Sequence, residues 1–223
     1  LLVHRGHASA KKFFTSDTAA SYDRVVRLTT FGRDVAWKEH ILGIVSEKRG
    51  SVLDLACGTG ILSSMLHDRG WQVSGLDLSS QYLKIASKKM EQAFAEGTAE
   101  VLPYRDATFD AVVSSYLAKY VDVIMVVKEC RRVLRPGGVT VFHDFACPQG
   151  AMRRLWHAYF TVLRGAGVLV PSWKHVFRDL DGVICESRWQ EQTVQAMEES
   201  GFVHVQSSSQ TLGTSAMVWG QKP

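Results

Sequence analysis

Short apolar runs alternate with longer stretches of helical spacing along most of the chain, which predicts strands and helices in turn. Residues 1–50 read as helical, with a turn at 29–33 and apolar side chains at 37, 41, 44 and 45 along residues 35–45. Gly50 closes that helix, and 51–56 is a compact apolar strand. A turn at 58–60 leads into a helix over 61–69 that stops at Gly70, a common C-terminal stop. Residues 71–76 predict a second strand, 80–93 a helix and 93–97 a weak third strand. The run 109–115 is almost wholly apolar, as buried parallel strands are. Residues 121–134 repeat apolar positions at helical spacing, Arg135-Pro-Gly-Gly138 breaks them, and 139–145 is a further strand.

The ending differs. Residues 149–165 predict an aromatic-rich helix, 166–188 an irregular stretch, and 189–200 a helix stopped by Gly201. Then 202–209 and 211–220 read as two closely joined strands. The expected fold is α/β, a doubly wound and mostly parallel seven-stranded sheet with a C-terminal antiparallel hairpin. One domain should span 1–223, with a helical cap over 1–50 and a substrate-side helical insertion over 149–188.

Composition narrows the class. The chain has 46% hydrophobic and 22% charged residues, which excludes a disordered polymer. The net charge of +4 is mild, and the cluster His4, Arg5, His7, Lys11 and Lys12 reads as a solvated N-terminal arm. Four cysteines at 57, 130, 147 and 185 form no CxxC pair, so four reduced thiols and an intracellular, cytoplasmic protein are expected. No apolar run is long enough to cross a bilayer, and no signal peptide is visible.

The chemistry is concentrated in Val52-Leu-Asp-Leu-Ala-Cys-Gly-Thr-Gly60. Gly58 and Gly60 let the backbone turn sharply and approach a ligand, and the next helix points its free N–H groups at whatever binds. Asp54, four residues before the first glycine, would repel a pyrophosphate and attract a cation such as the ammonium of S-adenosylmethionine. Ser63 stands at the third position of the glycine pattern, and Asp77, ending the second strand, can accept both hydroxyls of a ribose.

The motifs Leu53-Asp-Leu-Ala-Cys-Gly-Thr-Gly60, Gly75-Leu-Asp-Leu-Ser79 and Leu134-Arg-Pro-Gly-Gly138 resemble those of class I S-adenosylmethionine-dependent methyltransferases. The resemblance runs from Tyr22 to Gly220 and implies their Rossmann-like fold. A narrower resemblance is to the ubiquinone/menaquinone biosynthesis C-methyltransferases. It is carried by Phe13-Phe14, Tyr22-Asp23, Thr30-Phe-Gly-Arg-Asp-x-x-Trp37, Phe142-His-Asp-Phe-Ala-Cys-Pro148 and Leu212-Gly-Thr-Ser-Ala-Met-Val-Trp-Gly220. The chain departs from that family at Thr98-Ala-Glu100, where an acid near the adenine amine is the pattern, and at Ala118-Lys-Tyr120.

The expected activity is transfer of a methyl group from S-adenosylmethionine to a small apolar aromatic acceptor, at carbon or oxygen. The expected cofactor-binding residues are Tyr22, Asp54, Ala56, Cys57, Gly58, Thr59, Gly60, Asp77, Leu78, Ser79, Thr98, Ala99, Glu100 and Ser114. Asp144, His143 and Tyr22 are the catalytic candidates, because a base near a phenolic hydroxyl would push electron density onto the ring. Tyr116, Lys119, Trp156, His157 and Tyr159 are the substrate candidates, and no metal is expected. The expected partners are a small-molecule, lipid-like acceptor and no nucleic acid, with at most peripheral membrane contact and a homodimer as one open assembly. The helix at 149–165 reads equally as cover for the core or as a lid resting on a membrane. The alternatives are an RNA or protein methyltransferase of the same fold and a non-catalytic S-adenosylmethionine-binding subunit.

Overall fold

A computed structural model describes residues 2–46 and 50–223, with side chains described from residue 8 onward. Four helices precede the sheet: α1 (Leu2–Phe13), α2 (Ser16–Ala19), α3 (Tyr22–Thr29) and α4 (Arg33–Val45). Strands and helices then alternate as β1 (Ser51–Leu55), α5 (Ile61–His67), β2 (Gln72–Asp77), α6 (Ser80–Lys89), β3 (Ala93–Glu96) and β4 (Phe109–Ser115). A 3₁₀ turn (Ala118–Tyr120) leads to α7 (Val123–Val133) and β5 (Leu134–Phe145). After α8 (Gly150–Ala166), α9 (Lys174–Ser187) and α10 (Trp189–Glu199), the chain ends in β6 (Val203–Gln210) and β7 (Ser215–Gln221).

The seven strands lie in the order β3-β2-β1-β4-β5-β7-β6. β1 pairs in parallel with β2 and β4, whereas β7 runs antiparallel to both β5 and β6. The strand order reverses between β1 and β4, and a crevice opens there beyond the carboxyl ends of the strands. Alternation along β1 divides the core. Val52 faces Ile41, Leu42 and Leu66, while Leu53 and Leu55 face Val126, Val127 and Met197. Each such fully buried aliphatic side chain contributes roughly 1.5–3 kcal/mol.

Several expectations are corrected. Residues 166–188 are not irregular: Pro171 opens a 3₁₀ turn, and α9 follows with Val176, Phe177, Leu180, Val183 and Ile184 packed inward at helical spacing. The helix at 80–93 ends at Lys89, where Met90 turns extended, and β3 begins at Ala93. Arg135-Pro-Gly-Gly138 does not separate helix from strand, because β5 already starts at Leu134. A Cβ at Gly138 would lie 2.9 Å from the Arg135 carbonyl oxygen and 3.1 Å from that of Asp110, so the irregular pairing there requires glycine.

Nor is the N-terminal segment a solvated arm. α1 docks through Phe13, which is buried against Trp173 and Phe177, and Lys12 pairs with Asp179 of α9 at 2.7 Å. The side chains of His4, Arg5 and His7 lie outside the described residues. The expectation of four reduced thiols also fails. Cys147, just beyond β5, is disulfide-bonded to Cys185 on α9, while Cys57 and Cys130 are free and buried. The compartment argument built on reduced thiols falls with it. Among the described residues, no helix is long and apolar enough to cross a membrane.

Candidate active site

A cavity of about 470 Å³ occupies the crevice at the carboxyl ends of β1, β2 and β4. Its floor is the turn after β1, where Gly58 takes φ +56 and Ala56 φ +54. Asp77 ends β2 and anchors the turn: its Oδ2 accepts from the Gly58 N–H at 2.8 Å and its Oδ1 from the Ser79 N–H at 2.9 Å. Each carboxylate oxygen keeps acceptor capacity for a hydroxyl. Burial nevertheless raises the Asp77 pKa, against the lowering effect of those backbone donors.

Of the expected cofactor residues, Tyr22, Ala56, Gly58, Asp77, Leu78, Ser79, Thr98, Ala99 and Glu100 line the cavity. Asp54, Cys57, Thr59, Gly60 and Ser114 do not. Asp54 is 1% exposed and accepts from the Ser63 hydroxyl at 2.6 Å, so it braces the turn from within the core. Burial pushes its pKa up to about 7, opposed by Ser63 and by Lys38. Thr59 donates to Asp23 at 2.5 Å and ties the turn to α3, while Ser114 donates to the Leu55 carbonyl at 2.8 Å and joins β4 to β1. Cys57 and Gly60 shape the turn through backbone bonds: Cys57 N–H to Leu76, and Gly60 N–H to the Cys57 carbonyl.

The opposite wall is aromatic. Phe14 meets Tyr22, Tyr82 and Tyr120 edge-on, with ring centroids 6.2, 6.1 and 5.6 Å away, and Tyr22 meets Tyr82 at 5.4 Å. Burial raises the pKa of Tyr22 and Tyr120 well above the ordinary value and that of Tyr82 to about 12, so these hydroxyls stay protonated at neutral pH. Phe14, Tyr82, Tyr120 and Lys11, all on this wall, were not among the expected site residues. An available signal was their place: Tyr82 lies five residues past Asp77, and Tyr120 in the turn after β4.

The catalytic and substrate candidates scatter. Tyr22 and Tyr116 line the cavity, but His143 and Asp144 do not. His143 is 1% exposed, held between the Ser115 hydroxyl at 2.9 Å and the Ser215 hydroxyl at 2.8 Å. Burial drives its pKa well below the ordinary value, aided by Lys38 and Lys119. Asp144 forms a wholly buried ion pair with Lys119, in which burial pushes the acid up and the amine down while each partner opposes the shift. Neither Asp144 nor Lys119 is therefore open to a ligand. Trp156 packs inward against Phe160 and Ile184, Tyr159 donates to the Thr29 carbonyl at 2.5 Å, and His157 faces solvent 3.9 Å from Asp181.

Tyr116 stands apart in having φ +71 and a hydroxyl that donates to Asp34 at 2.6 Å. Asp34 in turn pairs with Lys38 inside the protein, so a hydrogen-bonded chain leads inward from Tyr116 on the cavity wall.

A mostly parallel sheet with an antiparallel seventh strand, a glycine turn after β1 and a carboxylate ending β2 defines the class of Rossmann-like S-adenosylmethionine-dependent methyltransferases. The family model described as the ubiE/COQ5 methyltransferase family matches residues 4–222, and the chain belongs to that family. The demethylmenaquinone methyltransferase of Thermus thermophilus is 33% identical over 93% of this chain and 99% of its own. The ubiquinone/menaquinone biosynthesis C-methyltransferase UbiE of Shewanella frigidimarina is 31% identical over 92% and 87%. Among solved structures, a SAM-dependent methyltransferase from Thermotoga maritima superposes with TM-score 0.67 at 18% identity, covering 98% of this chain and 100% of that one. A Haemonchus contortus phosphoethanolamine N-methyltransferase 2, solved with S-adenosyl-L-methionine, gives 0.63 at 14% identity over 84% of this chain. The chain spans about half (52%) of its length. At these identities the solved structures speak for the fold alone.

Proposed function

We propose that this methyltransferase places a methyl group on a ring carbon of a demethylated quinol of the menaquinone or ubiquinone type, the acceptors in its relatives' names. The observation that carries the reading is one cavity with two unlike walls. Asp77 and the Gly58 turn suit a ribosyl ligand, and Phe14, Tyr22, Tyr82 and Tyr120 suit a flat apolar ring.

The donor set fits S-adenosylmethionine. Asp77 would accept the ribose hydroxyls, the half-exposed Leu78 would cover a purine face, and the backbone at 98–100 would meet its edge. The volume falls within the ordinary range for sites of that ligand size, roughly 300–1,000 Å³. When bound, S-adenosylmethionine supplies a methyl on a sulfonium, and sulfur leaves with the bonding pair as a neutral thioether that needs no acid. The protein's work is then to align the acceptor and keep water out, which the aromatic wall does. As the ring carbon attacks the methyl, the hydroxyl beside it passes its proton to the surroundings and becomes a carbonyl; loss of the hydrogen on the methylated carbon then restores the aromatic ring and the hydroxyl. Tyr116, whose own proton is directed to Asp34, keeps a lone pair with which to accept a hydrogen bond from that hydroxyl. A proton accepted there has a path to the Asp34 carboxylate.

Calorimetry with S-adenosylmethionine and its demethylated product should give binding to the wild type and a loss of about tenfold or more for Asp77→Ala. Tyr116→Phe should keep cofactor affinity and lower kcat toward a short-chain demethylated naphthoquinol. Undiminished turnover in that variant rejects the Tyr116 route, and a failure of wild type to bind either cofactor form rejects the reading as a whole.

A further inference from the structure

α8 has two apolar faces. The inner one packs Trp156 and Phe160 against Leu180 and Ile184. The outer one carries Ala151, Leu155, Ala158, Val162 and Gly165, all exposed and spaced four, three, four and three residues apart. That spacing keeps them in one narrow stripe. Leu155 is 61% exposed and Val162 69%, and the chain continues past the stripe to Val168 and to Leu169 at 84%.

The surface also extends sideways. Tyr159 donates to the Thr29 carbonyl, and its ring lies 6.0 Å from that of Phe31, so the α3–α4 turn is fixed beside α8. That turn presents Leu28 at 67% exposure and Phe31 at 81%. Phe31 holds φ +52, which is costly for a bulky residue. Isolated exposed apolar side chains need no explanation, but a contiguous group does.

Charge identifies what covers it. Arg24, Arg27 and Arg33 flank the turn, and Arg154 flanks the stripe; all four are exposed, and none has an ion-pair partner among the described residues. Residues 145–178 contain no Asp or Glu. A second copy of the chain docked face to face would set arginines against arginines. An apolar stripe rimmed by unpaired arginines matches instead the headgroup and acyl boundary of an anionic bilayer.

We propose that the outer face of α8, the 168–170 segment and the α3–α4 turn form a docking surface for an anionic phospholipid bilayer. The surface adjoins the cavity. α3 carries Tyr22 on the cavity wall and Leu28 on the surface, about 9 Å apart along the helix. At the other end, Trp173 follows Val170 by three residues and packs 6.1 Å from the Tyr22 ring. The docked protein would bring its aromatic wall close to the lipid phase. The proposal does not depend on the acceptor: a water-soluble acceptor would leave the surface as it is.

The test is co-sedimentation of the full chain with vesicles of phosphatidylglycerol and phosphatidylcholine, against vesicles of phosphatidylcholine alone, at low and high salt. Wild type should bind the anionic vesicles about tenfold or more tightly, with affinity falling as salt rises. Val162→Glu with Leu169→Glu, and separately Arg27→Glu with Arg154→Glu, should each weaken binding about tenfold or more, with melting temperature and S-adenosylmethionine binding retained. Absence of binding to anionic vesicles overturns the proposal, as does equal binding to both lipids or binding indifferent to these substitutions. A dimer dissolved by Leu169→Glu, in a protein that ignores vesicles, overturns it in favour of a second copy. Cofactor binding is read in every sample, so failure here and failure of the methyltransferase reading are distinguishable.

Discussion

Replacing Asp54 by Asn should make the protein less sensitive to rising pH. The carboxylate is 1% exposed, and its nearest donor is the Ser63 hydroxyl at 2.6 Å. Burial lifts its pKa from 3.8 to about 7; Ser63 and Lys38 oppose the lift, and Asp77 adds to it. Below the unfolded value both states hold the proton, and the folded state suffers no penalty. As pH rises, the unfolded chain ionises first and folding loses stability, until the loss levels off above about 7. The whole interval is worth about 4 kcal/mol, of which about 2.5 kcal/mol lies between pH 5 and pH 8. The Asn carbonyl can still accept from Ser63 but cannot ionise. Its amide loses a hydrogen-bond partner, which costs roughly 1–3 kcal/mol at every pH. The stability difference between variant and wild type should therefore shift in the variant's favour by about 2.5 kcal/mol on going from pH 5 to pH 8. Urea unfolding of both proteins at the two pH values measures it. Parallel pH dependences would refute the buried, proton-holding Asp54. Because Asp54 stands outside the cavity lining, Asp54→Asn should also weaken cofactor binding less than Asp77→Asn does.

Other consequences follow from groups around the cavity. Lys119→Met leaves Asp144 buried without its cation and should cost about 3–5 kcal/mol by chemical denaturation, most of it recovered when Asp144→Leu is added. Gly60 takes φ +80, and a Cβ there would stand 3.0 Å from the Ala86 Cβ. Gly60→Ala should lower stability by about 1–2 kcal/mol in a thermal melt and weaken S-adenosylmethionine binding by calorimetry. His143, held neutral by burial, should show no imidazole titration by NMR between about pH 6 and 8, and a titration there would return it to candidacy as a base.

The glycine-turn side of the cavity was legible because its residues are local in sequence. A strand, two glycines and a carboxylate at the next strand end sit within 27 residues, and the topology follows from the same alternation of runs. Asp54 stands behind the turn, outside the cavity lining, for a physical reason. Proximity to the turn in sequence suggested a ligand contact, yet strand alternation turns its side chain into the core toward Ser63. α9 was missed because Gly165, Gly167, Pro171 and scattered charges masked a regular apolar spacing. The disulfide was invisible because Cys147 and Cys185 are 38 residues apart and meet only once α8 and α9 fold back on the end of β5. The aromatic wall was legible least, since Phe14, Tyr22, Tyr82 and Tyr120 come from four separate segments.

The buried charges around that wall explain why His143 and Asp144 do not line the cavity. Lys119 is fully paired with Asp144, and its ammonium lies 4.4 Å from the Tyr120 ring centroid and 5.5 Å from that of Tyr116. Lys38, paired with Asp34, lies 5.0 Å from the Tyr116 ring centroid. Cation–ring contacts of this kind contribute about 0.5–2 kcal/mol each. Their larger effect is geometric, because a desolvated ion pair cannot shift without losing its partner. His143 acts alike, clamped by Ser115 and Ser215 with its ring 5.1 Å from that of Tyr116. These groups converge on Tyr116 and hold it in a left-handed backbone conformation that an unsupported tyrosine would leave. Of this polar cluster, Tyr116 and Ser115 line the cavity, the one bonded inward to Asp34 and the other to His143, so the buried charges behind them meet the cavity only through hydroxyl-bearing side chains.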